Sequence, residues 1–130
     1  MIVVDASALL EVLLNTTAAD RVAARLFAVG ETLHAPHLID LEVAQVLRRY
    51  AASGELEPAR GLQALEDFRD FPVTRYPHDI FLLRIWELRQ SVAAYDAAYI
   101  ALAEALGAPL VTRDAALSSA AGHTARVELI

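Results

Sequence analysis

Short apolar segments alternate with amphipathic helical patterns along the whole chain, and this alternation restricts the folds that it can adopt. The first such segment is Ile2–Val4, which leads directly into Asp5 and then into the helical pattern of residues 6–14. Strands that are apolar on both faces are typical of parallel sheets, whose faces are covered by helices. The pattern therefore predicts an α/β fold with a mostly parallel central sheet flanked by helices.

The later elements repeat this order. Further strands are predicted at residues 32–35, where Pro36 ends the strand, and at 71–75, 109–112 and 126–130. Further helices are predicted at residues 17–30, capped by Thr17, at 37–52, from Pro58 onwards, at 80–89, and at 96–106, opened by Asp96. The helix after Pro58 has Leu62, Leu65 and Phe68 as its expected buried face. Since no linker or repeat interrupts the series, we expect one domain over residues 1–130.

The hydrophobic content is high for a soluble chain, at 56% with a mean hydropathy of +0.38. No apolar run reaches the roughly 20 residues of a membrane-spanning helix, and Asp5 interrupts the position of a signal peptide. We therefore expect a soluble cytoplasmic protein whose excess apolar surface is buried in an oligomer or against a partner. Leu9, Leu10, Leu13 and Leu14 of the first helices are candidates for such a surface.

The absence of cysteine excludes disulfides and zinc sites with thiolate ligands. All 11 basic residues are arginine, and the net charge is −6. This balance argues against a simple nucleic-acid binder, which usually presents a basic surface. A protein that first recruits divalent cations avoids the objection, because the metal reverses the local sign of the charge.

Four acidic residues stand at positions that suggest a common site. Asp5 and Asp114 each follow a predicted strand, and in open α/β sheets the ligand site lies beyond the carboxyl ends of the strands. Glu42 and Asp96 lie in the first turns of helices, on faces that are otherwise apolar. A set of oxygen ligands without cysteine suits Mg²⁺ or Mn²⁺.

Each of these acids also has an ordinary structural explanation. Asp5 and Asp96 can cap or open helices, where the helix dipole favours a negative charge. Glu42 can pair with a nearby arginine, Arg48 or Arg49, and the last acid can be an ordinary turn residue. Four such coincidences in one small domain are less expected than any one of them.

Two hydroxyls and one arginine accompany the acids. Ser7 is two residues after Asp5, and Thr112 is two residues before Asp114. Either hydroxyl can bond a carboxylate or a metal-bound water, or only the local backbone. Arg113 can contact a substrate phosphate or pair with an acid. These alternatives stay open on the sequence alone.

Aromatic and histidine side chains give weaker signals. Trp86, Tyr95 and Tyr99 occur at or beside apolar helical positions, so we expect them in the core or an interface rather than as base-stacking platforms. His34 and His37 are three residues apart, but the proline between them breaks helical geometry. We do not expect these histidines to be metal ligands.

Four blocks in the order V-V-D-A-S, P-H-L-I-D-L-E-V-A-Q-V-L-R-R, A-Y-D-A-A-Y-I-A-L-A-E-A-L and L-V-T-R-D resemble the PIN domain. More narrowly, the chain resembles the VapC-type toxins of bacterial type II toxin–antitoxin systems. The resemblance covers essentially the whole chain. It implies a parallel sheet flanked by helices and a metal-dependent ribonuclease in which four acids surround one or two Mg²⁺ or Mn²⁺ ions.

The acidic positions of the family are matched by Asp5, Glu42, Asp96 and Asp114, and its small hydroxyl positions by Ser7 and Thr112. Asp5, Asp96 and Asp114 are the first candidates for metal ligands, whereas Glu42 either binds the metal or orients the attacking water. The resemblance also implies a homodimer and a cognate antitoxin that lays a C-terminal segment across the acidic pocket.

Other classes of protein share parts of this pattern. A receiver domain also binds Mg²⁺ through acids at strand ends. The pattern of that family includes a lysine near the acidic pocket, and this chain has no lysine. The pattern of haloacid-dehalogenase-type phosphatases is D-x-D at the end of the first strand. This chain has Asp5-Ala6-Ser7 there and lacks the second acid. A non-catalytic module and a DNA-directed nuclease remain as alternatives.

Overall fold

A five-stranded, fully parallel sheet organises the computed structural model, which describes residues 1–130. The strands are β1 (Ile2–Val4), β2 (Leu33–Pro36), β3 (Val73–Tyr76), β4 (Leu110–Thr112) and β5 (Val127–Leu129). Their spatial order is β3-β2-β1-β4-β5, so the chain builds one side of the sheet outward from β1 and then returns to β4 on the other side. The carboxyl ends of β1 and β4 therefore form a topological switch point, where α/β folds bind ligands. The predicted parallel α/β fold is confirmed.

Seven helices flank the sheet. They are α1 (Ala6–Leu13), α2 (Ala19–Leu26), α3 (Ile39–Ser53), α4 (Pro58–Asp70), α5 (Leu82–Glu87), α6 (Ala94–Leu106) and α7 (Ala115–Ser118), and a 3₁₀ turn at Asp79–Phe81 precedes α5. None of them combines the length and the hydropathy that a membrane span requires.

The core centres on β1 and α6. All three residues of β1 are fully buried, and seven consecutive residues of α6, 97–103, are buried as well. Four of these seven are alanine, a residue whose small side chain leaves room for neighbouring elements to approach closely. The helix is thus held tightly from its first turn onwards, and the acid Asp96 lies immediately before the buried stretch.

Two of the predicted helix features are wrong. Thr17 does not cap the second helix: α2 begins at Ala19 after Ala18, and the hydroxyl of Thr16 accepts a bond from the Ala18 amide at 3.3 Å. The helix also ends at Leu26, four residues before the predicted stop at Gly30. The turn before α2 explains its later start, because Thr16 rather than Thr17 makes the local hydrogen bond.

The buried face of α4 also differs from the prediction. Leu62 and Leu65 are 59% and 37% exposed, whereas Gly61, Ala64 and Phe68 face the core. Gly61 and Ala64 are small and let α4 approach its neighbours closely. The apolar periodicity alone did not distinguish the face with these small residues from the face with the two leucines. A Cβ added at Gly61 would already lie 3.4 Å from a methyl group of Leu56.

The first helix buries most of the leucines that were expected on an interaction surface. Leu9, Leu10 and Leu13 belong to the core, so the prediction is wrong for them, and Leu14 is half-buried. Element boundaries shift elsewhere by one or two residues. The strand predicted to stop before Pro36 includes it, α6 begins two residues before Asp96, and the predicted 80–89 helix is a 3₁₀ turn followed by the short α5.

Glu104 of α6 fastens the segment after α7 to the rest of the fold. Its two carboxylate oxygens accept bonds from the Arg84 guanidinium, each at 2.9 Å, and one of them also accepts from the amide and hydroxyl of Thr124. These bonds, those of Arg84 above all, lower the pKa of Glu104 to about 2. Because this value is below the ordinary 4.5, the bonds stabilise the fold above pH 4.5, and the stabilisation is lost as the pH falls towards 2.

Replacing Glu104 by Gln is expected to lower the free energy of unfolding at pH 7 by about 2 kcal/mol, which urea denaturation measures. The difference from the wild type should shrink between pH 4.5 and about 2. Glu87→Gln is the matched control, because Glu87 pairs with the same arginine but is 63% exposed. It should cost less than about 0.5 kcal/mol. Equal losses for the two variants would contradict this account of the carboxylate.

Candidate active site

A cavity of about 800 Å³ opens at the carboxyl ends of the strands and contains the four acids singled out in the sequence. Asp5, Glu42, Asp96 and Asp114 all contribute to its lining. The structure therefore brings together residues from the first turns of two helices and the ends of two strands. No histidine takes part in the lining.

The fold places two of these acids side by side because β1 and β4 are neighbours in the sheet. Val4 pairs with Val111, and the residues that follow the two strands leave the sheet at the same edge. Asp5 accepts a bond from the Ala8 amide at 3.2 Å and caps α1, while Asp114 accepts from the Ala116 amide at 2.9 Å and caps α7. The capping role foreseen for Asp5 is thus real and coexists with its place in the cavity.

Two hydroxyls fix the buried carboxylate of Asp5. Ser7 Oγ donates to Oδ1 at 2.6 Å, and Thr112 Oγ1 donates to Oδ2 at 2.5 Å. The same hydroxyls accept from the backbone amides of Arg113 and Asp114, each at 2.9 Å. The bonds connect the ends of β1 and β4, so both oxygens of Asp5 have a defined orientation.

The pKa values of three of the acids are raised above their ordinary range. For Asp5 the main cause is burial, which the bonds from Ser7 and Thr112 partly offset. Burial is also the main cause for Glu42 and Asp96, and in both cases neighbouring carboxylates of the cavity add to it. No ion pair of the structure involves any of the four acids. Their mutual repulsion therefore favours a bound cation.

The chemistry of this donor set fits a hard divalent cation such as Mg²⁺ or Mn²⁺, because every candidate ligand atom is a carboxylate or hydroxyl oxygen. As the side chains stand, no three of the acids are close enough together to hold one ion. Asp5 is fixed by its bonds, whereas the Asp96 carboxylate makes no hydrogen bond and is half-buried. Coordination by several acids therefore requires rotation of side chains such as Asp96, which rotates without breaking a hydrogen bond.

Tyr99 lines the cavity, although its sequence position predicted only a place in the core or an interface. Its ring is buried in α6, and its hydroxyl donates to Glu42 Oε1 at 2.5 Å. This bond lowers the pKa of Glu42 and so opposes the effect of burial. One signal was available in the sequence: a tyrosine on a buried helix needs a partner for its hydroxyl, and Tyr99 lies three residues after Asp96, on the same helix face.

Replacing Tyr99 by Phe is expected to reduce the rate of RNA cleavage about tenfold, because Glu42 loses the bond that orients it. The free energy of unfolding should fall by about 1 kcal/mol, since one hydrogen bond is lost and the ring is kept. The rise in melting temperature on adding Mn²⁺ should also shrink. Unchanged kinetics together with an unchanged Mn²⁺ effect would show that the hydroxyl serves the core alone.

The contacts of the arginines near the site bear on two of the open alternatives. Arg113 lines the cavity, but its Nε lies 3.5 Å from Glu11 Oε1 and its Nη1 donates to the backbone carbonyl of Ile130 at 2.6 Å. It therefore pairs with an acid in this structure. Glu42 forms no ion pair with Arg48 or with the adjacent arginine, so that alternative explanation of Glu42 is wrong.

The remaining aromatic candidates separate into core and surface. His34 is buried away from the cavity, with one ring nitrogen 2.7 Å from the Tyr76 hydroxyl and the other 2.8 Å from the Thr32 hydroxyl. Tyr95 and Trp86 are 68% and 66% exposed, so neither lies in the core, and of the expected core or interface positions only an interface remains for them. Only Tyr95 lies at the cavity, directly beside the acid Asp96.

Comparison with known families agrees with this geometry. The model of the PIN domain family matches residues 2–123, and the chain therefore belongs to the PIN domain family. Within it, the chain is similar to the VapC ribonucleases. Ribonuclease VapC9 of Mycobacterium tuberculosis is 52% identical over 118 residues, which cover 91% of this chain and 89% of that protein. Ribonuclease VapC12 of the same organism is 42% identical over 130 residues, covering 100% and 99%.

Solved structures show the same fold. A protein from Pyrobaculum aerophilum superimposes with a TM-score of 0.70 at 26% identity, covering 97% of this chain and 81% of that chain. VapBC2 from Rickettsia felis, crystallised with a DNA fragment from its promoter, gives a TM-score of 0.71 at 14% identity and covers 99% and 98%. Membership in the PIN family leaves the receiver-domain and phosphatase alternatives without support.

Proposed function

We propose that this protein is the ribonuclease toxin of a toxin–antitoxin pair and hydrolyses RNA phosphodiesters with Mg²⁺ or Mn²⁺. The observation that carries the proposal is the meeting of Asp5, Glu42, Asp96 and Asp114 in one cavity at the switch point of the sheet, with no cationic side chain paired to them. The names of the similar proteins, VapC9 and VapC12, support ribonuclease activity. The domain responsible is the whole of residues 1–130.

The residues of the cavity have separate roles in this proposal. Asp5, held by Ser7 and Thr112, together with Asp96 and Asp114, would hold the ion, which when bound supplies Lewis acidity and makes a water more acidic. Glu42 keeps Oε2 free because Tyr99 occupies Oε1. That oxygen either joins the ligands or orients the water that attacks the phosphodiester in line.

Incubation of purified, antitoxin-free protein with total cellular RNA and Mg²⁺ or Mn²⁺ tests the proposal. Discrete fragments are expected, and they should disappear with EDTA or with the Asp96→Asn variant. A parallel incubation with DNA distinguishes the DNA-directed alternative, which predicts cleavage of DNA instead. If no nucleic acid is cut and Mn²⁺ leaves the melting temperature unchanged, the protein is a non-catalytic module, because a ligand of the native state must stabilise it.

The proposal includes a cognate antitoxin, a homodimer and a cytoplasmic location, where RNA substrates are available. VapBC2, which shares the fold, supports an antitoxin partner. Four exposed apolar side chains of the 3₁₀ turn and α5 support self-association; they are Ile80, Leu82, Leu83 and Trp86. Light scattering should give the mass of a dimer, and Leu83→Glu should reduce it to that of a monomer. A monomeric wild type would count against the homodimer alone.

A further inference from the structure

The cavity continues beyond the four acids along α3. Glu42, Gln45 and Arg49 all line it and recur at intervals of three and four residues, which places them on one face of the helix. Seven residues of helix separate Glu42 from Arg49, a rise of about 10 Å. Tyr95 lies at the start of α6, beside Asp96, and also contributes to the lining. We call this extension, lined by Gln45, Arg49 and Tyr95, the α3 groove.

The charges of the α3 groove differ from those of the acidic cluster. Apart from the four acids, the charged residues of the lining are Glu11, Arg49 and Arg113. Glu11 and Arg113 pair with each other, whereas Arg49 forms no ion pair and is exposed. Its guanidinium carbon lies 5.8 Å from the centre of the Tyr50 ring, a cation–π contact that leaves its donors free. The groove thus offers one available cation, two helical turns from Glu42.

Tyr95 provides a second feature that a nucleic acid would recognise. Its side chain is 68% exposed and makes no hydrogen bond, although it stands next to a candidate metal ligand. An exposed aromatic ring beside a phosphodiester site offers a surface on which an unpaired base can stack. A paired base in a duplex is not available for such stacking.

We propose that the α3 groove binds single-stranded RNA next to the phosphodiester that is cut, with Tyr95 stacking on a base and Arg49 binding a backbone phosphate. Arg49 lies about 10 Å along α3 from Glu42, so it contacts a phosphate next to the one that is cut. The inference rests on the proposed ribonuclease function and adds the residues that select an unpaired strand. A bound protein segment is the other conceivable occupant, but the free guanidinium and the exposed ring favour a strand with phosphates and bases.

Binding of a short fluorescent single-stranded RNA of mixed sequence tests the role of Arg49. The measurement uses an Asp96→Asn background with Mg²⁺ present, so that the RNA is not consumed. Arg49→Gln should weaken binding about fivefold at low salt and make the slope of log affinity against log salt less steep by about 0.7, because one phosphate contact is lost. Arg48→Gln is the matched control: Arg48 is the adjacent exposed arginine, lies outside the cavity lining, and should change neither quantity.

The role of Tyr95 is tested in the same assay. Tyr95→Ala should weaken binding of the single strand about tenfold, whereas Tyr95→Phe, which keeps the ring, should bind normally. Duplex RNA of the same sequence should bind more weakly than the single strand and be insensitive to Tyr95→Ala. Equal affinities and salt slopes for all variants would overturn the inference and leave the groove to a protein partner. Failure of the wild type to cut RNA would instead count against the ribonuclease function, because binding is measured without cleavage.

Discussion

Replacing Asp5 by Asn is expected to reduce RNA cleavage about a thousandfold, which corresponds to the several kcal/mol that a metal contributes to charge stabilisation. The same variant should be more stable than the wild type in metal-free buffer. Asn keeps the shape of the side chain and an oxygen that can accept the bond from the Ala8 amide, so the cap of α1 is preserved. Loss of activity and gain of stability therefore come from the same change of charge.

The sign of the stability change follows from the pKa of Asp5. Burial raises this pKa above its unfolded value, so the carboxyl group lowers the free energy of unfolding as the pH rises from the unfolded pKa, and the loss is complete above the folded pKa. Below the unfolded pKa, where the group is protonated in both states, the effect is absent. Asn is neutral at every pH and removes the penalty. Added Mn²⁺ should raise the melting temperature of the wild type, but not that of Asp5→Asn.

Initial cleavage rates and thermal unfolding, each with EDTA and with Mn²⁺, check this prediction. Asp40→Asn is the matched control, because Asp40 lies on α3 outside the cavity and pairs with Arg75 at 2.6 Å. It should leave both cleavage and the Mn²⁺ effect unchanged. A folded Asp5→Asn protein with wild-type activity would show that Asp5 is not part of the site. An Asp5→Asn protein that is less stable than the wild type without metal would contradict the argument from burial.

The parallel sheet and the position of Asp5 were predictable because both depend on local patterns. A run of β-branched residues followed by a helical repeat defines a strand and a crossover without knowledge of distant contacts. The rule that sites lie beyond the carboxyl ends of strands then selects Asp5 and Asp114. The buried face of α4 was not predictable in this way, because Gly61 and Ala64 pack closely against neighbours that only the folded chain supplies.

The contacts that orient the acids were less accessible from the sequence. The bond from Tyr99 to Glu42 joins residues 57 positions apart on two helices, and neither helix alone indicates the other. The pairing of Arg113 with Glu11 likewise depends on how α1 meets the end of β4. Ser7 could be assigned a carboxylate partner because the two residues are neighbours, but its contact with Thr112, at 3.3 Å between hydroxyls, requires the adjacent strands.

Replacing Thr112 by Val should lower the free energy of unfolding by about 3 kcal/mol at pH 7 without metal, because the buried Asp5 carboxylate and the partly buried Asp114 amide both lose their partner. Thr112 is fully buried, and its hydroxyl both donates to Asp5 Oδ2 and accepts from the Asp114 amide. Val has the same shape but can do neither. Cleavage should fall by about ten- to a hundredfold, since a carboxylate of the site loses its orientation.

Thr112→Ser is the matched control, and urea denaturation and cleavage rates are the measurements. Ser keeps the hydroxyl and loses one methyl group, so it should cost about 1 kcal/mol and retain most of the activity. The bond from Thr112 lowers the pKa of Asp5, and its loss in the valine variant raises that pKa further. The part of the cost of Thr112→Val that comes from the Asp5 charge should therefore be complete above the folded pKa of Asp5 in the variant, and it should be lost as the pH falls through that value to the folded pKa of Asp5 in the wild type.

A double-mutant cycle separates the electrostatic role of Thr112 from its packing in β4. In an Asp5→Asn background no buried charge depends on the hydroxyl, so Thr112→Val should cost about 1 to 2 kcal/mol less than it does in the wild type. Additive effects of the two substitutions on the free energy of unfolding would mean that Thr112 supports the strand alone. A coupling free energy of the expected size between the two substitutions would instead show that the Thr112 hydroxyl acts through the Asp5 carboxylate. The bond between these two side chains would then both affect the stability of the fold and orient the site.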